Sequence, residues 1–226
     1  MRANEFIVEY KEVDEGWKDV AVGSALALGA LGGAYAKFQP TTPTPQQQVV
    51  QQKQFTPISN NPQVEVQLLK TAKANGMKGA ELAQFMAQTK HESWDFNRLK
   101  EKPQPGVKKY FAKKYDPKYS PKTAKILGNK KVGDGERYHG RGFIQLTGRD
   151  NYRMAGEALG IDLLNNPDLA AKPEVASKIA VWYWNSRVKP HVQDFTDTRA
   201  VTRKINPAVK GLEDRDSNFK DYMRMV

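Results

Sequence analysis

Between Gln39 and Pro62 the chain reads QPTTPTPQQQVVQQKQFTPISNNP. Proline, glutamine and threonine dominate this run. It cannot bury enough apolar surface to offset its ordering entropy, so it reads as a linker. The chain is thereby cut in four: an acidic segment at 1–19, an apolar segment at 20–36, the linker at 37–62 and a folded domain at 63–226. Any catalytic apparatus must fit within that last piece.

Val20 to Ala36 is VAVGSALALGALGGAYA, an uncharged stretch of mostly Ala and Gly. It approaches the roughly 17–25 residues that a membrane-crossing helix needs. Ala34-Tyr35-Ala36 also reads as a small-x-small export cleavage site, although the acids ahead of it are unlike an ordinary signal peptide. The segment is thus expected to act as a weak membrane anchor or export signal. A soluble helix docking on another protein is the other reading, and the acidic first nineteen residues suit a docking peptide.

Charge narrows the partner. The chain carries +11, while its first 38 residues hold four basic against six acidic side chains, a net of −2. The rest therefore carries +13, which points to an anionic partner: nucleic acid, membrane surface or cell wall. There is no cysteine, which excludes disulfides and thiolate chemistry. Of the three histidines, His91 in His91-Glu92 has no second histidine at helical spacing, so the zinc-protease motif fails. Neither metal nor cofactor is expected.

The domain reads as mainly α-helical. Leu82, Phe85, Met86 and Thr89 fall on one helical face. Asn151 to Leu159 predicts a helix stopped by Gly160 at its C-cap. Another should open at Pro173, a favourable first-turn residue, and bury Val175, Ile179 and Trp182, with Tyr183 and Trp184 packing nearby. From Trp94 to Arg141, four prolines and many lysines predict long loops with short helical pieces, the kind of segment that often carries function. Trp94, Tyr110, Phe111, Tyr115 and Tyr138 lie in that interval and divide between core and ligand-stacking surface.

Glu92 stands where the first of these helices ends, with Trp94 beside it. A carboxyl desolvated by such neighbours can hold its proton near neutral pH. That is the state from which a general acid protonates a glycosidic oxygen.

Four stretches carry a longer signal: AQFMAQTKHESWDF, GDGERYHGRGFIQLTGRDNY, NNPDLAAKPEVASKIAVWYW and INPAVKGLEDR. Together they resemble glycoside hydrolase family 19, with the nearer likeness to its phage endolysin branch than to plant chitinases, over roughly Leu82 to Asp216. The resemblance implies a lysozyme-like helical fold with a cleft between two lobes. It makes Glu92 the general acid, Gln145 a substrate contact, Asn206 a holder of substrate or attacking water, and Arg141 a support of the cleft. Glu213 and Arg215 resemble a network that orients the acid. Two departures stand out. Trp94 and Asp95 replace a pair of glycines, and Asn206-Pro207-Ala208 replaces Asn-Gly-Gly, removing a backbone N–H at Pro207.

An inverting glycosidase needs a second carboxylate to activate water. Glu101 is the first choice, in the loop where the family places its base and among Arg98, Lys100 and Lys102, which should keep it ionised. Asp95 and Asp116 are in reserve. From Arg98 to Arg141 there are fourteen basic residues against four acidic ones. Peptidoglycan bears stem-peptide carboxylates and chitin does not, so this charge favours bacterial wall. No nucleic-acid-binding module is evident.

The expected activity is hydrolysis of β-1,4 bonds in peptidoglycan by a monomer, as in phage-type lysis of a host wall. Localisation would be at the host inner membrane or periplasm if 20–36 inserts or is exported, and otherwise in the cytoplasm or a virion. A chitinase, a lytic transglycosylase and a virion-borne wall-degrading or structural protein are the alternatives.

Overall fold

The computed structural model describes residues 55–226. The anchor or signal expected at 20–36, the acidic segment and most of the linker lie outside those residues. Among the described residues no helix is long and apolar enough to cross a membrane.

The described residues form nine α-helices: α1 (Pro62–Ala74), α2 (Gly79–Glu92), α3 (Tyr110–Tyr115), α4 (Pro121–Leu127), α5 (Asp134–Arg137), α6 (Arg149–Leu159), α7 (Pro173–Tyr183), α8 (Thr198–Ile205) and α9 (Leu212–Met223). Among the described residues the only β pairing is two isolated bridges, Lys100 with Arg141 and Arg141 with Leu146. The architecture is the mainly helical, lysozyme-like one that the sequence implies.

The described residues begin within the stretch expected as linker. Pro62 opens α1, and residues 55–61 pack on the domain. The carboxylate of Glu65, fully buried, accepts from the N–H groups of Ile58 and Ser59 (3.1 and 2.9 Å) and from the Tyr222 hydroxyl (2.7 Å). Phe55 stacks on Tyr222 at 6.5 Å. A buried carboxylate needs such donors, and here they fold the incoming chain onto α1 and α9.

α2 buries Leu82, Phe85, Met86 and Thr89, as their spacing requires. α6 ends at Gly160 in the left-handed region. α7 begins with Pro173 and buries Ile179, while Val175 and Trp182 are half-buried. The apolar side chains form one large cluster, on α1, α2, α7, α8 and α9. A second lies on α6 and α7, and a third joins Phe111 and Tyr115 of α3 to Leu127 of α4. The loop-rich interval is thus held by short helices with their own small core. Phe111, Tyr115 and Tyr138 are buried in it, and Trp94 is exposed.

Candidate active site

Glu92 is the last residue of α2, and α9 runs alongside that end. Lys90 donates to Asn218 (2.8 Å), and His91 Nδ1 lies 2.6 Å from Asp214. Glu92 Oε1 pairs with Arg215 Nη2. Arg215 is fully buried; its Nη1 donates to Gln88 Oε1 (2.5 Å) and its Nε to the Lys210 carbonyl (3.1 Å). Gln88 in turn donates to Thr202 (3.0 Å) and Gln84 (3.2 Å), and Gln84 donates to Thr198 (2.9 Å). Leaving any of these buried groups unmatched costs about 1–3 kcal/mol. The ladder across α2, α8 and α9 therefore fixes one guanidinium position, and through it one carboxyl position.

The setting of Glu92 differs from the expected one. Trp94 is 60% exposed and does not bury the acid. Glu92 is 12% exposed and held by an ion pair through Oε1. Phe85, Thr89, Ile144, Tyr183 and Ile205 line a narrow crevice with it.

Behind Glu92 the chain turns through three consecutive non-glycine residues in the left-handed region, Trp94, Asp95 and Phe96 (φ 54°, 59° and 60°). Here the resembling sequences carry glycines, and the left-handed path survives without them. Phe96 anchors the turn, fully buried and edge-on to Phe143 at 5.9 Å. Asp95 accepts from the Asn60 N–H (2.8 Å) and faces Lys90 (3.5 Å), and Arg98 N–H closes the turn on the Ser93 carbonyl (2.9 Å).

Glu101 is joined to the Gly140 segment in both directions. Its N–H donates to the Gly140 carbonyl (2.8 Å), and its Oε2 accepts from the Gly140 N–H (3.1 Å). Its carboxylate also accepts from Lys114 Nζ (2.5 Å) and the Tyr115 hydroxyl (3.0 Å). The expected cations are elsewhere. Lys100 pairs with Asp168 (2.9 Å), Arg98 lies over Trp94, and neither these nor Lys102 pairs with Glu101. Burial, reinforced by the Glu101 charge, pushes the Tyr115 phenol far above its ordinary value, so it keeps the proton it donates.

Gly140 makes the convergence possible. A Cβ there would stand 2.8 Å from Gln145 Oε1, 3.2 Å from Glu101 Oε2 and 3.3 Å from Thr147 Oγ1. Three polar side chains thus gather on one bare backbone atom. Gln145 is itself left-handed (φ 52°), and its Nε2 donates to the Gly142 carbonyl (2.9 Å). Ile144 shares the crevice of Glu92, and the next residue, Gln145, lies with Glu101 around Gly140, so this segment links the surroundings of the two carboxylates.

Arg141, which the resemblance makes a cleft residue that supports the substrate site, is turned inward. It is 3% exposed, with Nη1 donating to the carbonyls of Arg137 (3.0 Å) and His139 (3.1 Å) and to Tyr152 (2.9 Å), and Nε to Asp168 (2.9 Å). It braces the turn that presents Gln145. Asn206 caps α8 and is 2% exposed; its carbonyl accepts from the Val209 N–H (2.8 Å), so the turn closes without an N–H from Pro207. Glu213 is exposed and stays outside the Arg215 network. Asp116 is 1% exposed and ties down Gly133 and Gly135 (3.0 and 2.6 Å), and Asp95 holds the turn, so both reserve carboxylates have structural duties. Gln88, Lys114 and Thr147 were not singled out by sequence, and Tyr115 only as one aromatic among several; Gln88 and Lys114 are marked by partners, Arg215 and Glu101, outside their own helices. Among the described residues no group of three His, Asp or Glu could hold a metal.

The family model for class I chitinases of glycoside hydrolase family 19 matches residues 65–211. A glycosyl hydrolase family 19 domain-containing protein of Haemophilus influenzae is 34% identical over 169 residues, covering 67% of this chain and 82% of that protein. The basic endochitinase of Vitis vinifera is 35% identical over 124 residues, 49% of this chain but 35% of its own length. Chitinase C from Streptomyces griseus superimposes with a TM-score of 0.51 at 27% identity, over 72% of this chain and 68% of that one. With the acid-bearing helix, its arginine and the Gln145 segment in one assembly, the chain belongs to glycoside hydrolase family 19 and is a chitinase-like enzyme of that family.

Proposed function

We propose that this enzyme hydrolyses the glycan strands of bacterial peptidoglycan, with inversion at the anomeric carbon. Glu92 donates a proton from Oε2 to the glycosidic oxygen, since Oε1 is occupied by Arg215. Glu101, fixed by Lys114, Tyr115 and Gly140, takes a proton from the water that attacks the opposite face of the sugar. Gln145 and Asn206 flank the reacting sugar as polar contacts.

The observation that carries the choice of substrate is the exposed positive charge of the interval that holds Glu101. Lys102, Lys108, Lys109, Lys113, Lys122 and Lys125 are exposed and pair with no carboxylate. Such a field draws in a strand bearing carboxylates and offers a neutral one nothing. Chitin is the second reading, favoured by the names of the grapevine and Streptomyces relatives. The finer assignment, a lysis enzyme of the endolysin kind tethered reversibly through 20–36, rests on the sequence likeness and the segment's composition.

The test is product analysis. The purified full chain should release fragments with reducing ends from purified peptidoglycan, and the rate should fall as salt rises. Anhydro ends would make it a lytic transglycosylase. Chitin cleaved while peptidoglycan stays intact would overturn the substrate assignment.

A further inference from the structure

Trp94 and Arg98 remain unused by the mechanism above. Trp94 is the most exposed aromatic ring of the described residues, two positions after Glu92. Its backbone sits at φ 54°, where a bulky residue is uncommon and strained, a strain that persists only where the surroundings impose it. Those surroundings are the buried Phe96, the Asn60–Asp95–Lys90 contacts and the Arg98-to-Ser93 closure. They hold the indole outward in place of the glycines of the resembling sequences. Arg98 Cζ lies 4.1 Å from the ring centroid, and among the described residues no carboxylate pairs with its guanidinium. The arginine is therefore pre-positioned by a cation–π contact, with its donors free.

An aromatic face with an unpaired guanidinium on it suits a sugar that carries a nearby carboxylate. The ring takes the C–H face of the sugar, and the planar fork takes the carboxylate in two parallel hydrogen bonds. We propose that Trp94 and Arg98 form a specificity subsite beside the acid, which seats a sugar unit and binds a carboxylate of its attached stem peptide. The proposal rests on the peptidoglycan reading and names the contact that would separate wall strands from chitin. The lysine field acts at long range and is screened by salt, whereas this contact is direct and persists at high ionic strength.

The experiment measures KM at high salt for the full chain on native peptidoglycan and on peptidoglycan whose free carboxylates have been converted to amides. Amidation is expected to raise the wild-type KM by roughly tenfold, the low end for a hydrogen bond to a charged group. Arg98→Gln should show the raised KM on native strands and no further change on amidation. Arg98→Lys, which keeps the charge but loses the fork, should fall between, and a thermal melt confirms that each variant is folded. Trp94→Ala should raise KM on native and amidated strands alike. An Arg98→Gln enzyme that keeps the wild-type KM, or keeps the amidation penalty, overturns the subsite alone. A wild-type enzyme that leaves peptidoglycan uncut overturns the wall reading and the subsite with it.

Discussion

Replacing Arg215 with methionine removes three donors while roughly keeping the length of the side chain. In the native protein those donors reach Glu92, Gln88 and the Lys210 carbonyl from a position with no solvent exposure. Removing one partner of a buried ion pair costs about 3–5 kcal/mol, because the other charge is left behind. Glu92 keeps some contact with water, at 12% exposure, which places the cost near the lower end. For a domain of this size each kcal/mol moves Tm by about 2–4 °C, so Arg215→Met should melt roughly 6–12 °C early. The interaction is isolated by repeating the change in a Glu92→Gln background, where no carboxylate is stranded. The double variant should then lose less than the sum of the two single variants, by about 2–3 kcal/mol. Equilibrium urea unfolding of the full chain measures all four corners. Arg215→Met costing under about 1 kcal/mol, or a double variant that is simply additive, would refute the buried pair as the anchor of the acid.

Glu101→Gln should lower turnover by about 10²–10⁴-fold in a folded protein, the usual worth of a positioned base, and a wild-type rate would remove Glu101 from the mechanism. Burial holds the His139 imidazole below its ordinary value, with the Arg141 and Lys100 charges adding to the effect. The unfolded chain takes up that proton near pH 6.5, so His139 contributes stability that is present above about pH 6.5 and lost as pH falls through the lower folded value. His139→Gln should flatten that part of a urea-midpoint profile between pH 7.5 and 5, and an unchanged slope would contradict it. Val209 is β-branched and left-handed (φ 52°), so Val209→Asn, which tolerates that region, should stabilise by up to about 1 kcal/mol; a lower Tm would mean that its packing outweighs the strain.

What was legible in the sequence followed local rules. α2, α6 and α7 announce themselves through spacing, Gly160 and Pro173, because caps and amphipathic faces are written within a few residues. The position of Glu92 at a helix end was legible for the same reason. Of the partners of Glu92 and Glu101, only Arg215 was, and that through the family likeness. Arg98, Lys100 and Lys102 are near Glu101 in the chain, yet Lys114 reaches it, because α3 folds back over the Gly140 segment while Lys100 turns to Asp168. Trp94 adjoins Glu92 in sequence but is carried outward by the left-handed turn, so the acid is held by Arg215, more than a hundred residues on. Arg141 stands out in the sequence through its motif; its acceptors, the carbonyls of Arg137 and His139 and the Tyr152 hydroxyl, do not.

The most direct test of the account is the turnover of Glu92→Gln on purified peptidoglycan, measured on protein shown to be folded by its thermal melt. The substitution keeps the shape of the side chain and its place against Arg215 while removing the proton donor. Turnover should fall by at least about 10²–10⁴-fold, the range for loss of a general acid. Wild-type rates of bond cleavage from folded Glu92→Gln would contradict the assignment of the acid, and with it the mechanism built on that residue.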